Sequence, residues 1–214
     1  MDSIRVSEAL DSSSILDETT LVISLFLESL KKYLLITGLP PEDVSLVAGQ
    51  FSLHKISKGD FFVQEGKISK YLGFLEKGFL QYYVNIEGVE KTTYSSGANN
   101  FVASLVSFLR QLPSKENIRA AVDSEIWVID NTNLRKLQNE IPSFKSFYID
   151  LLEWQICCID ESRLDAIMLN AQERYEKMLS KEPALIQQIP LQFLASILGI
   201  TPRHLSRIRN KIRK

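Results

Sequence analysis

Cysteine and histidine are nearly missing from this chain. The two cysteines, Cys157 and Cys158, are neighbours, and the two histidines, His54 and His204, lie far apart in sequence. Adjacent cysteines on one helix cannot staple distant segments, so a disulfide framework is excluded, and both are read as packing residues. With no CxxC or HExxH, no ligand set exists for a dedicated zinc or catalytic metal site, and no metal is expected. Phosphate-cradling and nucleophile motifs of the Walker A, GxGxxG and GxSxG types are absent too. No nucleophile–base pair can be named, so an enzyme is the disfavoured class and no cofactor is expected. Long apolar runs are also missing. The most apolar stretch, Leu21 to Leu35, is interrupted by Glu28, Lys31 and Lys32, which makes it too short and too charged to span a bilayer. A signal peptide's basic start and cleavage site are absent, and the expectation is a cytoplasmic protein without membrane contact.

At 214 residues and 45% hydrophobic, the chain can bury one main core and a smaller second one. Its charge is polarised. The whole is net −1, but residues 171–214 hold nine Lys/Arg against three acids, and from Thr201 onward there are six basic residues and no acid. Such polarity places phosphate affinity at one end of the molecule.

Residues 1–20 are polar and acidic, with Ser12–Ser14 in the middle, and read as a loose extension. Leu21 to Tyr33 has helical spacing, with Phe26, Leu30 and Tyr33 on one stripe, and Pro40-Pro41-Glu42-Asp43 starts another helix. From Phe51 the pattern changes to short strands: Phe51–Ile56, Phe61–Gln64, Tyr71–Leu75, Phe79–Asn85, Glu90–Tyr94 and a last one at Glu125–Ile129. Turns at Gly59, Gly66, Gly78 and Gly88 separate them, which predicts an antiparallel sandwich or barrel, a jelly roll first. Between the strands, Phe101 to Arg119 holds a helix with Leu105, Phe108 and Leu109 ahead of Pro113. The following Ser114-Lys115-Glu116-Asn117 reads as a ligand cradle or, equally, as a packed connection.

Pro142 to about Met168 predicts one helix, roughly 40 Å long at about 1.5 Å per residue. Phe144, Phe147, Leu151, Trp154 and Cys158 form one stripe, and Tyr148, Leu152, Gln155 and Ile159 a second. Two stripes imply one packed on the roll and one on a twin helix from a second subunit; the alternative is one wide stripe buried within a single chain.

Ile189 to Ile208, IPLQFLASILGITPRHLSRI, carries most of the functional argument. Pro190 suits a first helical turn, and Leu194, Ile197 and Leu198 make one apolar face. Ala195 leaves room for a crossing helix, and Gly199 supplies a left-handed stop. Thr201-Pro202 reads as N-cap and first residue of a second helix, whose Leu205 and Ile208 face the first. Arg203, His204, Ser206, Arg207 and Arg209 are then expected to point away from the packing face. That is the geometry of a helix-turn-helix entering a major groove; an ordinary helical hairpin with a solvated basic face is the plainer alternative.

Taken in order, these parts resemble the Crp/Fnr family of bacterial transcription regulators over about residues 21–210. The strongest likeness lies in FFVQEGKISKYLGFLEKGFLQYY and LASILGITPRHLSRIR, and the AQERYEKML ahead of the latter resembles Bacteroidetes-type members. The resemblance implies an α+β fold: a flexible extension at 1–20, a cyclic-nucleotide-binding-like β-roll with N-terminal helices at 21–140, a dimerisation helix at 141–170, and an all-α helix-turn-helix domain at 171–214. It implies a homodimer, zipped through the 141–170 helix, that reads double-stranded DNA at an inverted repeat. Arg207 matches the family's base-reading arginine, Ser206 its companion serine, and Thr201 a phosphate contact near the helix N-terminus. Arg203 stands where many members carry a glutamate, so a different operator is expected. The cyclic-nucleotide pairs, Gly-Glu for the ribose and Arg-Ser/Thr for the phosphate, align here with Ala103-Ser104 and Ser114-Lys115. Loss of both charged groups predicts no tight cyclic AMP binding. Ser104, Arg110, Ser114 and Lys115 are left as candidates for an unknown small-molecule effector. An iron–sulfur cluster is not expected, since no cysteine precedes Cys157, and His54 is read as structural rather than as a haem ligand. The rival class is a β-roll adaptor whose basic tail binds any polyanion.

Overall fold

A computed structural model describes residues 28–212. The expected extension at 1–20, the start of the first predicted helix, and Arg213 and Lys214 lie outside the described residues. Two short helices come first, α1 (Glu28–Ile36) and α2 (Pro41–Ala48). Pro41 opens α2 where its missing N–H has no helical partner to lose.

Eight antiparallel strands then build two four-stranded sheets. β1 (Ser52–Ile56), β8 (Ser124–Asp130), β3 (Tyr71–Lys77) and β6 (Asn100–Val102) form the first, in that order. β2 (Phe61–Val63), β7 (Asn117–Ala120), β4 (Phe79–Ile86) and β5 (Val89–Gly97) form the second, with β5 at its edge. The expected antiparallel roll is present, and α3 (Leu105–Arg110) is the helix predicted inside it. Two strands, β6 and β7, were not expected. With three and four residues they are too short to display an alternating pattern, and they pair only because β3 and β4 already lie beside them.

Alternation along the strands sorts the core. Leu75, Leu80, Tyr82, Val102, Ile118, Ile126 and Val128 fill the space between the sheets. Phe74, Trp127 and Ile129 face the other way, under α1, α2, α4 (Asn131–Glu140) and the start of α5 (Pro142–Met168). The first sheet is therefore buried on both faces, which explains why β3 and β8 read as nearly unbroken apolar runs.

The 27-residue α5 then leaves the roll. Phe144, Phe147 and Tyr148 are buried against the first sheet and Leu151 is half-buried, but Trp154, expected on the same stripe, is 58% exposed. Cys157 is exposed and Cys158 half-buried, so only the latter fits the packing expectation. The outer apolar row is not the predicted Tyr148–Leu152–Gln155–Ile159 stripe: Tyr148 is buried inward. Exposed Ile149, Ile156 and Ile159 lie on the outer side instead, with Leu152 between them half-buried against the core of the roll, and Arg163 and Ala166 continue the 3-4-3-4-3 spacing. Among the described residues no helix is long and apolar enough to cross a membrane.

Three helices and a final one, α6 (Ala171–Lys181), α7 (Pro183–Gln188), α8 (Leu191–Ile197) and α9 (Pro202–Ile212), make a second core around Tyr175, Ile186, Ile189, Leu194, Leu198, Leu205 and Ile208. Asn170 starts α6 with a capping box: its side chain accepts from the Gln172 and Glu173 N–H groups, and Glu173 accepts from its backbone N–H at 2.8 Å. α6 folds back along α5, where Lys177 reaches Glu161 and Asp165, each at 2.7 Å, and Lys181 reaches Glu161 at 2.7 Å.

Candidate nucleic-acid interface

The α8–α9 pair is built by local backbone demands. α8 ends in a Schellman turn: Ile200 N–H donates to the Ala195 carbonyl at 2.9 Å and Gly199 N–H to that of Ser196 at 3.0 Å. The turn holds Gly199 at φ 69°, a conformation that glycine adopts without strain. Ala195, 0% exposed, lies where α9 crosses. Thr201 then caps α9, its Oγ1 accepting from the His204 N–H at 3.2 Å. From α6, Arg174 donates to the Leu198 carbonyl at 2.7 Å and so ties the turn to the rest of the head.

With Leu205 and Ile208 buried, Arg203, His204 and Arg207 are exposed. Ser206 is half-buried and its hydroxyl donates to the Pro202 carbonyl at 3.0 Å. Arg209 does not point away from the packing face as expected. It follows directly after buried Ile208 and lies four residues beyond Leu205, so its long side chain folds back over the Tyr175 ring, 5.8 Å from the centroid. Its Nε is buried and finds no partner among the described residues. Asn210, exposed on the free side, was missed, and exposed Lys211 follows it with its Nζ 3.4 Å from the Gln172 side-chain oxygen. The i+3 spacing of Asn210 from Arg207 could have identified it.

The four cradle candidates divide into two pairs. Ser104 and Ser114, each 4% exposed, face each other with 3.0 Å between hydroxyls. Ser114 also donates to the Glu116 carbonyl oxygen at 2.7 Å. Arg110 and Lys115 are exposed and do not join them. The titratable group at this spot is Glu116: burial pushes its carboxyl above its ordinary value, against a hydrogen bond from Ser104 that favours the ionised form. Burial also raises the Tyr82 hydroxyl, with the nearby Glu116 adding to the effect. His54 stands edge-to-face with Tyr71, ring centroids 5.0 Å apart.

Residues 53–140 match the family described as the cyclic nucleotide-binding domain. Among solved structures, the chain is similar to the catabolite activator protein of Thermus thermophilus, with 22% identity, 82% of this chain and 84% of that one covered, and a TM-score of 0.53. A c-di-GMP responsive global regulator, CLP of Xanthomonas campestris, gives 15% identity, 81% and 92% coverage and a TM-score of 0.62. A putative transcriptional regulator of the Crp/Fnr family from Eubacterium rectale gives 16%, 84% and 86%, and 0.59. The chain thus has the fold of these regulators, with residues 53–140 similar to the cyclic nucleotide-binding domain. No curated protein matches it in sequence.

Within the matched residues, Ser104 and Ser114 lie together with the Glu116 carboxyl beside them. An anion there would meet the Glu116 carboxyl, which repels it when ionised. The helix-turn-helix lies beyond the matched residues, carried by α5 and α6.

Proposed function

We propose that this protein is a homodimeric, sequence-specific DNA-binding transcription regulator of the cytoplasm, with a β-roll that does not take cyclic AMP tightly. The observation that carries the reading is the free face of α9. Arg203, His204, Arg207 and Asn210 share it, and no carboxylate lies on that helix. A helix of this kind, held by a short turn against a crossing partner, fits a major groove. Arg207 is the base reader, suited to a bidentate contact with guanine, and Arg203 reads a neighbouring base where an acceptor side chain would read cytosine. Thr201 and Ser206 approach phosphates at the start of α9, and Lys211 lies along the backbone. Solved structures of the same fold include a catabolite activator and a global regulator of gene expression, which supports the assignment.

The partner is a second copy of the chain. Ile149, Ile156 and Ile159 lie exposed on α5 and, with half-buried Leu152 and the exposed Arg163 and Ala166, follow the a and d spacing of a heptad; isoleucine at two a positions favours two strands. Two-fold symmetry then asks for an inverted repeat with half-sites about 34 Å apart. The effector, where one acts, is an unknown small molecule, with Ser104, Arg110, Ser114 and Lys115 as its candidate contacts.

Equilibrium titration of a selected duplex and a scrambled one, with wild type and R207A, tests the base-reading role. R207A is expected to lose about 1–3 kcal/mol on the selected duplex and to relax one base position. Equal loss on both duplexes would reduce Arg207 to a phosphate contact and favour a polyanion-binding adaptor.

A further inference from the structure

The head is fastened to the roll through a polar contact between residues far apart in the chain. Thr92, on edge strand β5, donates its backbone N–H to the Ser196 hydroxyl of α8 at 2.8 Å, and that hydroxyl is 3.4 Å from the Thr92 carbonyl oxygen. One serine thus occupies both groups that an edge strand leaves open at that residue. The register there is interrupted: Tyr82 pairs with Tyr94 but Tyr83 with Thr92, so Thr93 is an extra, bulged residue in β5 beside the contact.

Behind Thr92 lies a row of side chains on the same outer face of the sheet. The Thr92 hydroxyl accepts from the Gln81 amide at 2.8 Å, and the Gln81 oxygen accepts from Arg119 at 2.9 Å. Arg119 is itself fixed by Glu90, at 2.7 and 3.1 Å, and lies 4.7 Å over the Tyr83 ring. Gln81 is 2% exposed. Phe79 and Ala121, flanking this row, pack into the head's own core. The interface also buries the Ser95 hydroxyl, which has no partner among the described residues. A contact face of this composition orients two bodies more than it glues them, because each hydrogen bond contributes little net stability but demands a fixed geometry.

We propose that Ser196, with Thr92, Gln81 and Arg119 behind it, positions the DNA-reading head on the roll and thereby sets the separation of the two half-sites. The inference rests on the DNA-binding reading above. These are positioning residues: none lies on the free face of α9. β7, which carries Arg119, begins directly after the Ser114–Glu116 loop, so the row joins the cradle to the head.

The test uses the full-length dimer, S196A and S196T, and a series of inverted repeats whose spacing is varied one base pair at a time. One base pair turns a half-site by about 34°. Wild type is expected to prefer one spacing by about tenfold over its neighbours, and S196A by less than about threefold. Hydrogen exchange at the Thr92 amide should be faster in S196A by more than about tenfold. S196T, which keeps the hydroxyl, should restore both. An unchanged spacing profile in S196A would overturn the inference, as would unchanged exchange at Thr92. A general loss of stability would lower the melting temperature without altering the preferred spacing. Absence of any preferred repeat with wild type would be a failure of the DNA-binding reading, seen before any substitution is made, and would remove this inference with it.

Discussion

Gly199 and Arg209 sit ten residues apart on the α8–α9 unit, the first governed by local backbone geometry and the second by a tertiary contact. Nothing lies within 4 Å of where a Cβ on Gly199 would stand, so its requirement is conformational alone, φ 69° at the head of a Schellman turn. A Gly199→Ala substitution should therefore cost about 1–2 kcal/mol through the left-handed backbone, without any clash. Urea denaturation at constant m checks it; a loss below a few tenths would mean that the turn does not constrain the fold. This demand, like the Thr201 cap, is local and readable from sequence. The orientation of Arg209 is not, because it depends on Tyr175, which tertiary folding brings beneath the guanidinium. In the same way Ser104 and Ser114 were legible as a pair of positions, whereas their mutual hydrogen bond and the adjacent Glu116 carboxylate needed the closed loop.

α5 shows the same division at the scale of an element. Its length and its Pro142 start were legible, but two apolar stripes on one wheel gave no way to tell which would meet the roll. The roll takes Phe144, Phe147 and Tyr148, and the row beginning at Ile149 is left outward. Replacing Ile156, a central a position, with glutamate should place two like charges across the seam and convert the dimer to monomer at micromolar protein, read by sedimentation equilibrium. A persistent dimer would locate the interface elsewhere. Strands of five residues or more announced themselves by alternation between glycines, whereas β6 and β7 were fixed by neighbours rather than by their own pattern. The α5–α6 joint depends on charge. Lys177 and Lys181 hold the Glu161 carboxyl down at about 2, against an ordinary 4.5. Because the folded value is the lower one, this tie is complete above the ordinary value and is lost as the pH falls toward the depressed one. The melting-temperature gap between wild type and E161Q should accordingly stay constant from about pH 6 to 8 and close on acidification through 4.5 toward about 2. A gap that widened in acid would contradict the ion-pair account.

As a whole, the molecule separates its tasks along its length. The roll and its helices bury the larger core, α5 presents an apolar row outward, and the positive residues collect on a small head docked at the edge of the second sheet. Sequence polarity foretold the charged end, and the order of elements foretold the roll and the head. The docking of one on the other did not follow from either, since it is made by Ser196 and Thr92 across more than a hundred residues. That two such heads read DNA together is the proposal on which the rest depends. It is tested most directly by selecting from a randomised duplex pool with purified protein at about 0.15 M salt, where nonspecific phosphate binding is weakened. Paired heads should enrich an inverted repeat with half-sites about one helical turn apart; binding without any enriched sequence, falling steeply with salt, would leave only a nonspecific polyanion contact.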